Sequence, residues 1–378
     1  MAKGKRDGLL IVGGGLAGSL AALAMVKLRP EVPILLIEES GRFGGDHIWS
    51  FLDTQVDEEH CWLVDPLVSQ RWPGFYVAFP GLPRKTELAY NSISSVDLDR
   101  VVRERLLPNQ YRLKTKVVAV RENEVVLPGG EVIKADAAID ARGAANLSML
   151  DLGWRKFVGR EYKFPKPHRV DLPVLMDATV EQADGLRFFY LLPLSEDRLL
   201  IEDTRFSENP DLDRKTIGAQ IEAYCELRGW TGGKYKREEA GVLPLALSDD
   251  VQAFWRGGGA RVAKIGVRGG FFHPSTGYSL ADAVRCAILL SEQKEVDGTL
   301  LHDLFEAEAE RLWRKRDFYR TFNAAMFDSP VWERRDRMAG LYRLEPDVIA
   351  RFHAARLGVM DRMRISSAKS GKARRQSS

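Results

Sequence analysis

The chain has 378 residues, which is long for one hydrophobic core and predicts two domains or one elaborated domain. Its hydrophobic content of 45% and charged content of 29% are ordinary for a soluble globular protein, and the formal net charge of +3 predicts no nucleic-acid partner. Three widely separated cysteines favour neither a disulfide framework nor a metal site, so a reducing cytosol is expected. No run approaches the roughly 20 apolar residues of a membrane span.

The first 38 residues have the order of a dinucleotide-binding unit. An apolar strand at 9–12 precedes a G-x-G-x-x-G pattern, and a helix over 19–28 leads to a second strand at 34–37. Glu38 closes that strand about 20 residues after Gly18, the spacing of the ribose-binding acid in such folds. A pyrophosphate would lie at a helix N-terminus, where unpaired N–H groups favour anions. The alternative is a glycine turn in an α/β fold with no ligand.

The residue types in this motif have physical reasons. Gly13 permits the tight turn, Gly15 lets the backbone approach a pyrophosphate, and Gly18 lets the helix pack on the strand. A glutamate at the end of the second strand can accept both hydroxyls of an adenosine ribose. The residues predicted to bind the dinucleotide here are Gly13, Gly15, Leu16, Ala17, Gly18, Glu38 and Glu39.

Further along the chain, the pattern predicts an α/β fold with a second, sheet-based part. A helix over 96–107 and short strands over 113–134 suit a β-meander that returns to a nucleotide-binding sheet. A strand–glycine loop–helix unit over 262–290 also returns to that sheet, and 300–365 is helical in pattern. We expect a discontinuous Rossmann-type domain with a parallel sheet at 1–52, 96–150 and 260–298, a substrate domain at 53–95 and 151–259, a helical region at 299–365 and a disordered basic tail at 366–378.

Four other segments carry a specific combination of residues. They read GGDHIWSF at 44–51, PLS at 193–195 with LIEDT at 200–204, GVLPL at 241–245 and HPSTGYS at 273–279. Together they resemble the bacterial lycopene β-cyclase family, and the resemblance extends to about residue 355. It implies a flavoprotein fold, FAD that is active in its reduced form, NADPH as a candidate reductant, and a lipophilic carotenoid whose linear ends close to β-ionone rings, giving β-carotene through γ-carotene.

The same resemblance implies which further residues lie beside the flavin. They are Gly45, His47, Trp49, Gly143, Gly266, Gly277 and Tyr278. A surface loop is the alternative for the segment with His47 and Trp49. The late strand departs from many flavin oxidoreductases, because it ends IGVRG at 265–269 without the Gly-Asp whose carboxylate holds the ribityl chain. This absence weakens a monooxygenase interpretation.

Cyclising a polyene requires an acid that stays protonated until it meets an alkene. Burial or a neighbouring like charge raises the pKa of a carboxyl group and so keeps its proton on. Glu202 and Asp203 end an apolar strand, and since strand neighbours face opposite sides, only one of them is expected to enter a cavity. The resemblance implies that Glu202 is the acid, with Asp203 assisting. The alternative is a salt bridge to Arg198 or Arg205.

Aromatic faces can stabilise a carbocation by roughly 0.5–2 kcal/mol each. The candidates are Trp49, Phe51, Phe188, Tyr190, Phe271, Phe272 and Tyr278, with core packing as the alternative for most of them. His273 is a candidate base or flavin contact, and the alternative is a histidine that rigidifies its loop.

A basic amphipathic segment at 311–320 is a candidate membrane surface, with a solvated helix face as the alternative. We therefore expect a cytoplasmic protein that associates peripherally with membranes. The rival functions are a flavin- and NAD(P)H-dependent oxidoreductase, such as a monooxygenase or isoprenoid reductase, and a non-catalytic binding protein. The number of rings, the β or ε ring type, the substrate range and the oligomeric state stay open.

Overall fold

The structure is a computed structural model that describes residues 8–248, 250–257 and 261–368. The strands in these ranges are β1 Leu9–Val12, β2 Ile34–Ile37, β3 Ile48–Leu52, β4 Val68–Trp72, β5 Phe75–Phe79, β6 Leu82–Thr86, β7 Tyr90–Ser94, β8 Tyr111–Arg112, β9 Ala119–Arg121, β10 Glu124–Val126, β11 Val132–Lys134, β12 Ala137–Asp140, β13 Leu152–Lys163, β14 Val174–Asp177, β15 Leu186–Pro193, β16 Arg198–Ser207, β17 Lys234–Ala246 and β18 Ala263–Lys264. The helices are α1 Leu16–Leu28, α2 Cys61–Val64, α3 Ser95–Arg105, α4 Arg214–Leu227, α5 Val251–Arg256, α6 Leu280–Ser291, α7 Gly298–Lys315, α8 Asp317–Phe327, α9 Val331–Leu341, α10 Pro346–His353 and α11 Val359–Ser367.

The N-terminal motif builds the centre of a parallel sheet. Its strand order is β18-β12-β1-β2-β8, and every pair in it is parallel. Such strands are covered on both faces, which explains why β1 and β12 are completely buried. Helix α1 packs against α6, and β9, β10 and β11 form the antiparallel meander. The predicted α/β fold class is confirmed.

A larger sheet follows in the order β17-β13-β16-β15-β14-β5-β6. The long strands β13, β15, β16 and β17 pair antiparallel, so their side chains alternate between two faces. On one face Leu199 and Ile201 pack with Ile217 and Ile221 of α4. The other face looks toward the nucleotide-type motif and is the wall of the site described below.

Strands β3 to β7, which precede the long strands of the large sheet in the sequence, belong to two different sheets. Strands β5 and β6 extend the large sheet, whereas β3 pairs with β7, which also pairs with β4. Residues 48–52, expected with the nucleotide-binding part, therefore share a sheet with strands from 53–95. The division into domains stays a prediction.

The C-terminal helices α7 to α11 cover the end of the molecule. A buried ion pair holds them, because Arg316 donates to both oxygens of Asp282 in α6 at 2.6 Å. Helix α11 runs on to Ser367, and the rest of the expected tail from residue 369 lies outside the described residues. None of the helices in the described ranges is long and apolar enough to cross a membrane.

Candidate active site

The glycine turn leaves an open helix end beside a cavity. Gly15 is the N-cap of α1 and provides no side-chain cap, so the first N–H groups of the helix face the cavity without a side-chain partner at the cap. A Cβ at Gly15 would meet no atom within 4 Å, so the backbone borders open space there. A Cβ at Gly18 would lie 1.9 Å from the carbonyl oxygen of Gly13, which makes Gly18 a packing residue outside the cavity lining.

Glu38 is fixed at the far side of this turn. Its carboxylate accepts hydrogen bonds from the backbone N–H groups of Gly14 and Ser40, both at 2.7 Å. These two bonds orient the carboxylate and leave its remaining lone pairs for hydroxyl donors. An open helix end and an oriented acid are the chemistry that the pyrophosphate and ribose of a dinucleotide require.

A cavity of about 670 Å³ lies between this turn and the large sheet, within the range of about 300–1,000 Å³ typical of ligand sites. The predicted site residues that line it are Gly13, Gly15, Leu16, Ala17, Glu38, Glu39, Gly45, His47, Trp49, Gly143, Glu202, Gly266, Gly277 and Tyr278. Positions far apart in sequence thus meet in one space. Gly18, Asp203 and His273 do not line it.

The cavity wall opposite the glycine turn is one face of the large sheet. Glu202 on β16 faces Tyr190 on β15 and Gly159 on β13, and register partners present their side chains on the same face. Glu202 is only 4% exposed. Its carboxylate accepts a hydrogen bond from the Thr204 hydroxyl and a longer one from Arg155 at 3.4 Å. Burial raises the pKa of Glu202, against the opposing effects of Arg155 and Thr204.

Arg155 is a cavity residue that the sequence reasoning missed. Its buried guanidinium lies 4.7 Å from the centre of the Tyr278 ring and contacts Glu202. It also borders a small second cavity of about 40 Å³ under α9 and α10, lined partly by Phe188 and Tyr278. Arg155 therefore separates the main cavity from this apolar space. Only the pairing of β13 with β16 places it there.

Glu239 is the second missed residue. It lies on β17, lines the cavity beside Glu202 and is 5% exposed. Arg237 donates to its carboxylate at 3.1 Å. The alternation of Arg237, Glu238 and Glu239 along a strand was a usable signal, because it places the first and third on one face.

Asp203 lies on the opposite face of the sheet and does not reach the cavity. Arg187 donates to both of its oxygens, at 2.9 and 3.1 Å, and Arg205 donates at 3.3 Å. The alternation of side chains along β16 is the physical reason. Asp203 is thus a buried ion-pair residue, and its expected assistance to Glu202 has no geometric basis.

His273 is buried behind the loop that carries Gly277 and Tyr278. Its Nε2 donates to the carbonyl oxygen of Phe352 at 2.8 Å, and its Nδ1 accepts from the N–H of Ser275 at 3.1 Å. Burial lowers the pKa of His273 to about 3. Both ring nitrogens are engaged and the ring is neutral, so the geometry matches the loop-rigidifying alternative rather than a base.

The turn after β18 carries no acid, as the sequence shows. Its residues make other contacts. Gly266 has a φ of +63° and Val267 lines the cavity. Arg268 turns away and donates to Asp140 at 2.9 Å, where Arg142 also pairs. Asp140 ends the neighbouring strand β12, so the two cations anchor this edge of the parallel sheet.

Three of the aromatic candidates border the cavity, namely Trp49, Tyr190 and Tyr278. Phe51, Phe271 and Phe272 are packed in the core of the nucleotide-type part. In the segment 311–320, Trp313, Tyr319, Arg316 and Arg320 are buried, so their side chains do not form an exposed lipid-facing stripe.

Together, the parallel sheet, the glycine turn with its oriented acid and the second sheet define a flavoprotein-type fold. A solved flavin-dependent brominase is similar with a TM-score of 0.61 and 15% sequence identity, covering 93% of each chain. The family model described as "Lycopene cyclase protein" matches residues 8–377. Lycopene β-cyclases of Pseudescherichia vulneris and Pantoea ananas are each 39% identical over 96% of this chain, covering 93% and 94% of their own lengths. The chain belongs to the lycopene cyclase family.

Proposed function

We propose that this chain is a lycopene β-cyclase that closes the linear ends of lycopene to β-ionone rings without net redox change. Family membership supports the substrate class. The observation that carries the proposal is Glu202, an acid that is buried, faces the cavity and has a raised pKa. A protonated carboxyl group that faces the substrate cavity is the group that can deliver a proton to an alkene.

We infer that FAD binds in the same cavity, in a discontinuous domain formed by 1–52, 96–150 and 260–298. The residues that would hold it are Gly13, Gly15, Leu16, Ala17, Glu38, Glu39, Gly45, His47, Trp49, Gly143, Gly266, Gly277 and Tyr278. The open space at Gly15 and the oriented carboxylate of Glu38 support this fit. When bound in its reduced form, with NADPH as the cellular reductant, FAD supplies negative charge that stabilises a developing cation.

The chain's own groups would perform the proton transfer. Burial disfavours the Glu202 carboxylate and so favours the protonated form that can donate. Once the proton has moved to the substrate, the hydrogen bonds from Thr204 and Arg155 stabilise the carboxylate that remains. Tyr190 and Trp49 present aromatic surface to the cation, whereas one face of Tyr278 is already covered by Arg155.

We also propose that the protein meets its lipophilic substrate at an anionic membrane surface through α11. Val359, Met360 and Met363 are exposed there, next to the exposed Arg364. The sequence after the helix continues with basic residues. Apolar and cationic side chains on one helix suit an anionic lipid interface. The test is co-sedimentation with vesicles: Met360→Glu should weaken binding to phosphatidylglycerol vesicles, and equal binding of both proteins would contradict the proposal.

Purified protein with lycopene in vesicles tests the activity itself. We expect cyclic carotenoids with dithionite-reduced FAD, none with oxidised FAD, and no stoichiometric consumption of NADPH. NADPH oxidation in proportion to product would instead identify an oxidoreductase. Retention of lycopene without turnover in either flavin state would identify a binding protein.

A further inference from the structure

Two buried carboxyl groups flank one glycine on the cavity face of the large sheet. Gly159 of β13 is the register partner of Glu202 on one side and of Glu239 on the other. Register partners share a face, and adjacent strands lie about 4.8 Å apart, so the two glutamate backbones are about 10 Å apart. Since Gly159 has no side chain, the middle strand places no side chain between the two acids at that position, which Glu239 and Leu200 border.

The Glu239 side chain leans over that glycine. A Cβ placed on Gly159 would lie 3.1 Å from Cγ of Glu239 and 3.5 Å from its Oε1. Glu239 therefore extends across the middle strand toward the side on which Glu202 lies, and both line the cavity. Two carboxyl groups then border the space in which the substrate end would react.

We propose that Glu239 is a catalytic base that receives the proton released when the ring alkene forms, opposite Glu202, which donates the first proton. This inference rests on the proposed cyclase function. Cyclisation without redox change takes up one proton and gives up one proton for each ring. A second group at the cavity wall allows the two transfers to occur at different carbons.

The terminal alkene uses its electron pair to form a C–H bond with the proton of Glu202, which leaves a tertiary cation and the Glu202 carboxylate. The next alkene attacks the cation, and its electron pair becomes the new ring bond. A C–H bond on the ring carbon that bears the polyene then breaks. Its electrons form the β-ring alkene, and the proton moves to the Glu239 carboxylate.

The surroundings of Glu239 suit this role. Burial, together with the neighbouring Glu202, raises the pKa of Glu239 to about 8, while Arg237 opposes both effects and favours the carboxylate form that acts as the base. A carboxylate whose conjugate acid has a pKa near the working pH accepts a proton readily and releases it again. Release of the proton from Glu239 to solvent and uptake of a solvent proton by Glu202 restore both groups for the next ring.

The position of the base also determines the ring type. The cation after ring closure can lose a proton from the carbon that bears the polyene, giving a β ring, or from the ring CH2 group, giving an ε ring. A base fixed at Glu239 selects one of these protons. A merely structural Glu239, paired with Arg237, would leave the ring type unchanged when it is altered.

The test compares Glu239→Gln with Glu238→Gln, whose side chain pairs with Arg160 and Arg214 and is not part of the cavity lining. With reduced FAD and lycopene, we expect E239Q to cyclise on the order of 10²-fold more slowly and to form a larger share of ε or exocyclic rings. We expect E238Q to keep the wild-type ring type and a rate within about twofold of wild type, in proportion to folded protein.

The outcomes separate the two proposals. If the wild type forms no cyclic product, the cyclase function fails. If the wild type cyclises and E239Q matches it in rate and ring type, the role of Glu239 is overturned. A slow E239Q with unchanged ring type and lowered FAD affinity also overturns it. If E239Q does not fold, Glu239→Asp carries the test, because a shorter base should shift the ring ratio and an unchanged ratio contradicts the proposal.

Discussion

Glu202 and Asp203 are adjacent in sequence and both are buried, but they lie in different electrostatic surroundings on opposite faces of β16. Asp203 is held by two guanidinium groups, Arg187 and Arg205. Glu202 has one distant guanidinium and one hydroxyl, and it borders a cavity. A buried acid that is well paired with cations is part of the scaffold, whereas an incompletely paired one can keep a proton and use it.

The largest loss of activity is expected for Glu202→Gln. The amide cannot donate a proton of useful acidity, so we expect cyclisation to fall by about 10²–10⁴-fold. Glutamine keeps the shape of the protonated acid and an acceptor for Arg155, so we expect the thermal unfolding midpoint to fall much less than for Asp203→Asn. Product formation and the unfolding midpoint are measured on the same preparation. Full cyclisation by E202Q would remove Glu202 from the chemistry.

Asp203→Asn should show the reverse pattern. Breaking a buried ion pair leaves the arginines without their counter-charge and costs about 3–5 kcal/mol of the free energy of unfolding. Denaturant unfolding measures this loss, and the cyclisation rate per folded molecule should stay within a few-fold of wild type. A stable D203N that has lost its activity would show that the two faces are not separate in function.

The buried His273 should make the free energy of unfolding depend on pH. Its pKa is about 3 in the folded protein and near 6.5 in the unfolded chain, so the unfolded state binds more protons between these values. The stabilisation from His273 is therefore present above pH 6.5 and is lost as the pH falls toward 3, by about 1.4 kcal/mol per pH unit. Denaturant unfolding of wild type and His273→Gln between pH 7 and 5 should show a steeper decline for wild type. Equal slopes would contradict the buried neutral ring.

Thr204→Val tests whether the hydrogen bond from the Thr204 hydroxyl to Glu202 assists proton transfer. Valine has a similar shape but cannot donate to the carboxylate, and a hydrogen bond to a charged group is worth about 1.5–3 kcal/mol. The carboxylate left after proton transfer is then less stable, so we expect cyclisation to slow by about tenfold or more. Steady-state turnover with reduced FAD is the measurement. An unchanged rate would mean that the hydroxyl does not assist the transfer.

The sequence predicted the parts of this molecule that are local in the chain. The strand–glycine turn–helix–acid order needs only neighbouring residues, and the structure has that order from β1 to Glu38. The alternation along β16 also predicted that only one of Glu202 and Asp203 can face a cavity. The position of Glu202 in a cyclase-like segment indicated which one.

The site residues that the sequence did not predict are placed by the pairing of strands that are distant in the chain. Arg155 and Glu239 reach the cavity because β13 lies between β16 and β17, and no local pattern specifies that order. The sequence left His273 open between a base or flavin contact and a histidine that rigidifies its loop, because the hydrogen-bond partner of its ring, Phe352, lies 79 residues later. The segment 311–320 has an amphipathic pattern, and its apolar residues pack inward because α7 and α8 cover the core.

One isotope measurement follows the delivery of a proton by an enzyme carboxyl group without net redox change. Enzyme equilibrated in D2O with reduced FAD is given less than one equivalent of lycopene, and the product is analysed by mass spectrometry. We expect one deuterium in each ring formed, because the proton on Glu202 has exchanged with solvent before it is donated. Cyclic product without deuterium would contradict proton donation by an exchangeable carboxyl group.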